Sequence, residues 1–112
     1  MEILTKTALF GGTHLVVRHD STITNTPMEL AIFIPPGKGP FPCLYYLSGL
    51  TCTWENAATK AGAQYHAAKA GMVLVFPDTS PRGEGIADDE AFSLGSGAGY
   101  YMTATEAPWA EH

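Results

Sequence analysis

The feature that most constrains this chain is an unbroken apolar run, Cys43-Leu44-Tyr45-Tyr46-Leu47, that ends in Ser48-Gly49 and is followed at once by a helix start. The run offers no polar face, which is the pattern of an interior parallel strand covered on both sides, and it places Cys43 in the core. A second run of the same kind, Met72-Val73-Leu74-Val75-Phe76, closes with Pro77-Asp78. Between the two, Thr53 is positioned to cap a helix, and Glu55 falls in the first turn, where a negative charge suits the helix dipole. Trp54, Ala57, Ala58, Ala61, Tyr65 and Ala68 then recur at helical spacing on one narrow face, and Gly71 is positioned to end the helix. Strand, helix, strand predicts a βαβ unit with a parallel pair. Open α/β sheets place their chemistry beyond the carboxyl ends of such strands. The turn after Leu47 is therefore the candidate site: Gly49 lets the backbone turn without a Cβ in the way, and exposed N–H groups there can face a developing oxyanion.

Upstream, His14–His19 and Met28–Ile34 predict an antiparallel hairpin, joined by a polar connector from Asp20 to Pro27. In the second of these strands Met28, Leu30, Ile32 and Ile34 alternate with Glu29, Ala31 and Phe33, which marks one clearly apolar face. Pro35–Pro40 is a loop. Downstream of Asp78 the periodicity stops. Thr79–Gly85 is a loop, and 87–105 is rich in Gly, Ala and aromatic residues, the kind of irregular segment that often faces substrate. Gly95-Ser96-Gly97-Ala98-Gly99 lacks both the preceding strand and the Lys of a phosphate loop, so no nucleotide site is read there. One helix cannot cover both faces of a parallel pair, and one apolar edge would stay open. Residues 1–112 are thus expected to form the first portion of a single larger α/β domain.

Composition narrows the function classes. A hydrophobic share of 46% with 15% charged residues is that of a globular chain. The net charge of -5, with six Lys and Arg spread singly, argues against a nucleic-acid or anionic-membrane surface. No apolar stretch approaches the ~20 residues of a membrane span, and the N-terminus shows no secretory signal, so a cytoplasmic protein is expected. Cys43 and Cys52 are separated by the strand and its turn, too far for a disulfide, and two free thiols fit a reducing compartment. His14, His19, His66 and His112 show no metal-ligand spacing, and no metal is expected from them. His14 and His19 are assigned to an outer strand, and His66 to the polar flank of the helix. Asp88-Asp89-Glu90 reads as a solvated loop. Trp54, Tyr100, Tyr101 and Trp109 read as core residues, with Tyr100 and Tyr101 placed to border the site.

Leu47-Ser48-Gly49-Leu50-Thr51-Cys52-Thr53, together with Glu55-Asn56, Lys60–Gln64, Pro77–Gly83, Gly97–Tyr101 and Ala104–Trp109, closely resembles the S-formylglutathione hydrolase (esterase D) family of α/β-hydrolases, over the N-terminal part of that family's domain. The resemblance implies thioester hydrolysis, in which S-formylglutathione and water give glutathione and formate, the last step of glutathione-dependent formaldehyde detoxification. It implies a Ser-Asp-His triad without metal or cofactor, in a cytoplasmic homodimer. It also implies that the Leu50 backbone N–H is an oxyanion-hole donor, with the Leu50 side chain lining the pocket; beside it, Gly49 in the turn, Cys52 as a pocket-adjacent non-catalytic thiol and Tyr101 after the glycine run are read as the substrate neighbours. The G-x-S-x-G elbow of the fold is absent: Ser48, Ser80, Ser93 and Ser96 all fail the pattern. The nucleophile, acid and base are therefore not among these residues, and the chain alone is expected to be inactive. Two rival expectations are a broad carboxylesterase on the same scaffold and a non-catalytic truncated chain. Arg82 has two readings as well, a contact to a glutathione carboxylate or a brace on loop carbonyls, and the second is favoured.

Overall fold

The computed structural model describes residues 1–99 and 102–111. Its strands are β1 (Glu2–Leu9), β2 (Gly12–Asp20), β3 (Pro27–Ile34), β4 (Cys43–Tyr45) and β5 (Val73–Pro77), hydrogen-bonded in the order β1-β2-β3-β5-β4. The first three pairings are antiparallel, and β4 runs parallel to β5 with Cys43 opposite Val73 and Tyr45 opposite Val75. The expected hairpin is β2–β3, and the expected parallel pair is β4–β5. No helix among the described residues is long and apolar enough to cross a membrane.

Strand β1 is an addition to the expected elements, and it moves His14 and His19 from an outer strand to an interior one. Leu4 and Leu9 both pack on the core, although five residues apart they would point to opposite faces of a regular strand. A bulge reconciles them: Ile3 pairs with Val17 and Thr5 with Val16, leaving Leu4 as the extra residue. The connection to β2 is the two-residue turn Phe10-Gly11, with φ of 48° and 77°. Two positive φ values are the signature of a type I′ hairpin, normally written Asn-Gly. Phe10 is held there by an edge-on contact with Tyr65, ring centroids 5.5 Å apart.

The single helix expected from Thr53 to Gly71 is two helices, α1 (Trp54–Lys60) and α2 (Ala63–Ala70). Gly62 sits between them in the left-handed region, φ 62°. That kink resets the phase of the apolar face. Ala57 and Ala58 are buried in α1, but Ala61 and Tyr65 are exposed, and α2 buries Gln64 and Ala67 instead. Gln64 Nε2 donates to the Ala58 carbonyl at 2.5 Å, tying α2 back to α1 and satisfying a buried amide. Gly71, again left-handed at φ 62°, ends α2 as expected.

Helix α1 packs against β3 and β5, and α2 chiefly against β5. The core beneath them is built on Phe33 and Phe76, with Val16, Ala31, Leu74, Ala57, Ala58 and Ala67 around them. In β3 the fully buried residues are Ala31 and Phe33, whereas Met28, Leu30 and Ile32 lie on the opposite face and are only half-buried. Strand β4 also departs from expectation. It is the edge strand of the described sheet and is exposed along its whole length, so Cys43 is an exposed free thiol and not a core residue. The physical reason is position: the helices pack over β3 and β5 and not chiefly over β4, which lies beyond β5.

Candidate active-site turn

Beyond β4 the chain stays on the sheet for one more residue, since Tyr46 N–H donates to the Val75 carbonyl at 2.9 Å. Ser48 is buried. Then Cys52 N–H donates to the Gly49 carbonyl at 3.1 Å, closing a β-turn with Leu50 and Thr51 at its centre. Thr51 has φ 62° while Leu50 does not take a positive value, the pattern of a type II turn. That third position ordinarily belongs to Gly or Asn. A β-branched residue there carries local strain of roughly 1–3 kcal/mol, so the surroundings must hold it.

They do so from two sides. Thr51 N–H donates to the Gly97 carbonyl at 2.8 Å. Arg82 Nη2 donates to the Thr51 carbonyl at 3.1 Å and to the Cys52 carbonyl at 3.0 Å. Hydrogen bonds from a charged donor contribute about 1.5–3 kcal/mol each, enough to offset the strain. Gly97 is itself anchored, its N–H donating to the hydroxyl of buried Ser80 at 2.9 Å. The Arg82 reading as a brace on carbonyls is thus the one the geometry bears out. The glycine-rich stretch gains a role that its sequence did not disclose. A Cβ on Gly97 would lie 3.3 Å from Thr51 Cα, and one on Gly99 3.1 Å from Leu50 Cδ1, so both glycines permit close approach to the turn.

On the far side of the turn, α1 begins as Thr53 suggests. Thr53 Oγ1 accepts from Glu55 N–H at 3.3 Å, and Asn56 Oδ1 accepts from Thr53 N–H at 2.9 Å. Asp78, at the end of β5, accepts from Trp54 N–H at 2.8 Å and so adds a charged cap from a different element. Burial raises the Asp78 pKa, against the lowering pull of the Trp54 amide and Arg82. Glu29 accepts from Trp54 Nε1 at 3.2 Å and pairs with Arg18 at 2.6 Å, and the Arg18 bond holds its carboxyl below the usual range.

The site residues fall out as follows. The Leu50 N–H donates to no protein group among the described residues. Gly49 and Cys52 line a cleft of about 260 Å³ with Tyr46, Ser48, Asn56 and Ala57. The Leu50 side chain does not line that cleft; it is turned toward Gly99, contrary to expectation. Cys52 is a half-buried free thiol. Tyr100 and Tyr101 lie outside the described residues, as does His112. His66 is exposed, whereas His14 is half-buried, with its pKa lowered by burial. Asp88 and Asp89 accept from the N–H groups of Ser96 and Ser93, both at 3.0 Å, and no cluster suited to a metal ion occurs among the described residues.

Residues 21–112 match the Esterase family model. The chain belongs to the esterase family. The chain is 58% identical over 113 residues to S-formylglutathione hydrolase of Paracoccus denitrificans, an alignment that takes in 99% of this chain and 40% of that one. S-formylglutathione hydrolase from Agrobacterium tumefaciens superposes with a TM-score of 0.94 at 42% identity, over 100% of this chain and 42% of that one. A ferulic acid esterase from Anaeromyces mucronatus shares the fold, with a TM-score of 0.54 at 21% identity over 80% of this chain and 34% of that one. The resemblance carried by Leu47–Thr53 and the α/β-hydrolase fold class are both borne out. The chain spans 40% of the length of its Paracoccus relative.

Proposed function

We propose that these residues are the N-terminal portion of an S-formylglutathione hydrolase, in which the Leu50 backbone N–H is one donor of the oxyanion hole. The observation that carries the reading is the Leu50 turn itself: a strained, doubly braced turn beyond a parallel strand, with an amide that no protein group among the described residues uses. A tetrahedral oxyanion formed on a thioester carbonyl needs such a preorganised donor, and a fixed amide requires no reorganisation when the charge develops. The serine nucleophile, acid and base would come from the remainder of the domain, which pairs this donor with the N–H following the serine. Gly49 and Cys52 border the acyl group, Cys52 as a non-catalytic thiol. Tyr101, which follows the glycine run, is a further substrate neighbour in this reading. The substrate is S-formylglutathione, no cofactor takes part, and the assembled enzyme is a homodimer in the cytoplasm, a compartment in keeping with two free thiols.

The test uses a chimera in which these 112 residues replace the matching segment of the Paracoccus denitrificans relative. Leu50 holds the second position of a type II turn, where proline is well tolerated, so Leu50→Pro deletes the N–H with little change of shape. The expected result is a fall in kcat on S-formylglutathione of about 10²- to 10³-fold, with Leu50→Ala, which keeps the amide, losing far less. Equal activity of the proline variant and its parent would remove Leu50 from the oxyanion hole. Faster turnover of a simple aryl ester than of S-formylglutathione by the parent would replace the thioester reading with a general carboxylesterase.

A further inference from the structure

We propose that Arg82 is a positioning residue for catalysis: by holding the carbonyls of Thr51 and Cys52 it fixes the direction in which the Leu50 N–H points. The proposal rests on the oxyanion reading of Leu50 and extends it to a residue of a different loop.

The geometry carries three parts of the argument. Thr51 is a non-glycine residue at φ 62°, and the peptide that joins it to Leu50 is the one next to the proposed donor amide. If that turn relaxed, the Leu50 amide would rotate away, because the two groups share one tight turn closed by Cys52 N–H and the Gly49 carbonyl. Arg82 is the charged group that prevents it, reaching both carbonyls from a single nitrogen at 3.1 and 3.0 Å. The second brace, Ser80 to Gly97 to Thr51, originates in the same loop after β5. The loop therefore clamps the turn by its N–H on one side and its carbonyls on the other.

The surroundings argue against the alternative, a direct contact with a substrate carboxylate. Arg82 lines one groove with Glu29, Glu55, Asp78 and Arg18, the last paired to Glu29, and another with Asp88, Asp89 and Glu90 and, among the described residues, no second cation. Acidic groups on both flanks repel an incoming anion, while they favour a cation that stays where it is. A planar guanidinium serves two carbonyls at fixed angles, which a lysine ammonium on a flexible stem does less well.

The experiment compares Arg82→Ala and Arg82→Lys with the parent in the same chimera. Two substrates are used: S-formylglutathione, which carries carboxylates, and 4-nitrophenyl acetate, which carries none. A positioning role predicts that R82A lowers kcat by about 10- to 100-fold on both substrates with little change in KM. It predicts a smaller loss in R82K and partial recovery of R82A on adding guanidinium chloride at low millimolar concentration. A rise in KM confined to S-formylglutathione, with kcat and the aryl ester unaffected, overturns the proposal in favour of an anion contact. Unchanged kcat on both substrates overturns it outright. Should R82A not fold, R82K decides by the same two criteria. The two readings fail separately. A parent that cleaves only the aryl ester refutes the thioester substrate and leaves Arg82 measurable, whereas an inert Leu50→Pro change refutes the donor on which Arg82 is said to act.

Discussion

Asp78 brings a carboxylate into a half-buried position beside the start of α1, and its titration is therefore tied to folding. Burial raises its pKa above the ordinary value of 3.8. A raised value in the folded state means the folded chain holds the proton more tightly than the unfolded one. The associated stability is complete below the unfolded value and fades as pH rises through the folded value. Glu29 runs the other way: its pKa is lowered from 4.5 by Arg18, so its contribution is present above 4.5 and is lost as pH falls through the lower, folded value. Asp78→Asn separates the two, because the amide oxygen still accepts from Trp54 N–H but carries no charge. The variant is expected to be more stable than the parent at pH 7, with the difference vanishing near pH 3, as read from urea midpoints. A less stable variant at pH 7 would show that the Trp54 and Arg82 interactions outweigh the burial. At this scale the sequence discloses what is local. Thr53 as a cap is legible from its neighbours in the chain, whereas the carbonyls that Arg82 braces lie 31 and 30 positions away. The contacts of Asp78 with Trp54 and of Ser80 with Gly97 join residues 24 and 17 positions apart, and no local pattern announces them.

Elements were legible where their periodicity is unbroken and hidden where a single residue resets it. β2, β3, β4 and β5 follow their apolar runs. β1 was missed because the bulge at Leu4 spoils its alternation and because Phe10-Gly11 does not look like a type I′ turn. The two helices read as one because Ala57, Ala58, Ala61, Tyr65 and Ala68 keep helical spacing across Gly62, and spacing alone cannot show that Gly62 is left-handed. That conformation yields a clean test. A Cβ at Gly62 would meet nothing within 4 Å, so any effect of Gly62→Ala comes from the backbone and not from a clash. The expected loss of stability is about 1 kcal/mol. A continuous α1–α2 helix, stabilised by alanine and seen as a gain in helical circular dichroism with no loss of stability, would mean that the break is not enforced by the packing of Gln64 and Ala67.

Across the whole molecule the sheet has two unlike edges. β1 ends one side as a mostly exposed strand carrying Glu2, Thr5, Lys6 and Thr7, residues that suit solvent. β4 and the two residues after it end the other, with Leu44, Tyr45, Tyr46 and Leu47 exposed at 47%, 66%, 49% and 51%. A run of this kind is read from sequence as an interior strand because its residues are ones that must be covered. Sequence reports the need for cover and not what supplies it, which is why the same residues were expected inside and are found at an edge. Among the described residues β4 pairs with β5 alone, so its outer row of N–H and C=O groups is open beside an apolar surface. A polypeptide of these 112 residues on its own is therefore expected to self-associate in the micromolar range, by edge pairing along β4, and to bind an apolar dye. Tyr45→Lys places a charge in the middle of that edge and should shift the association to markedly higher concentration without lowering the unfolding midpoint, since Tyr45 is exposed. Sedimentation velocity of both chains over a concentration series reads the effect directly. A wild-type polypeptide that stays monomeric throughout, or a lysine variant that associates just as readily, would place the sticky surface elsewhere, on the exposed turn at Leu50 or the loops beyond β5.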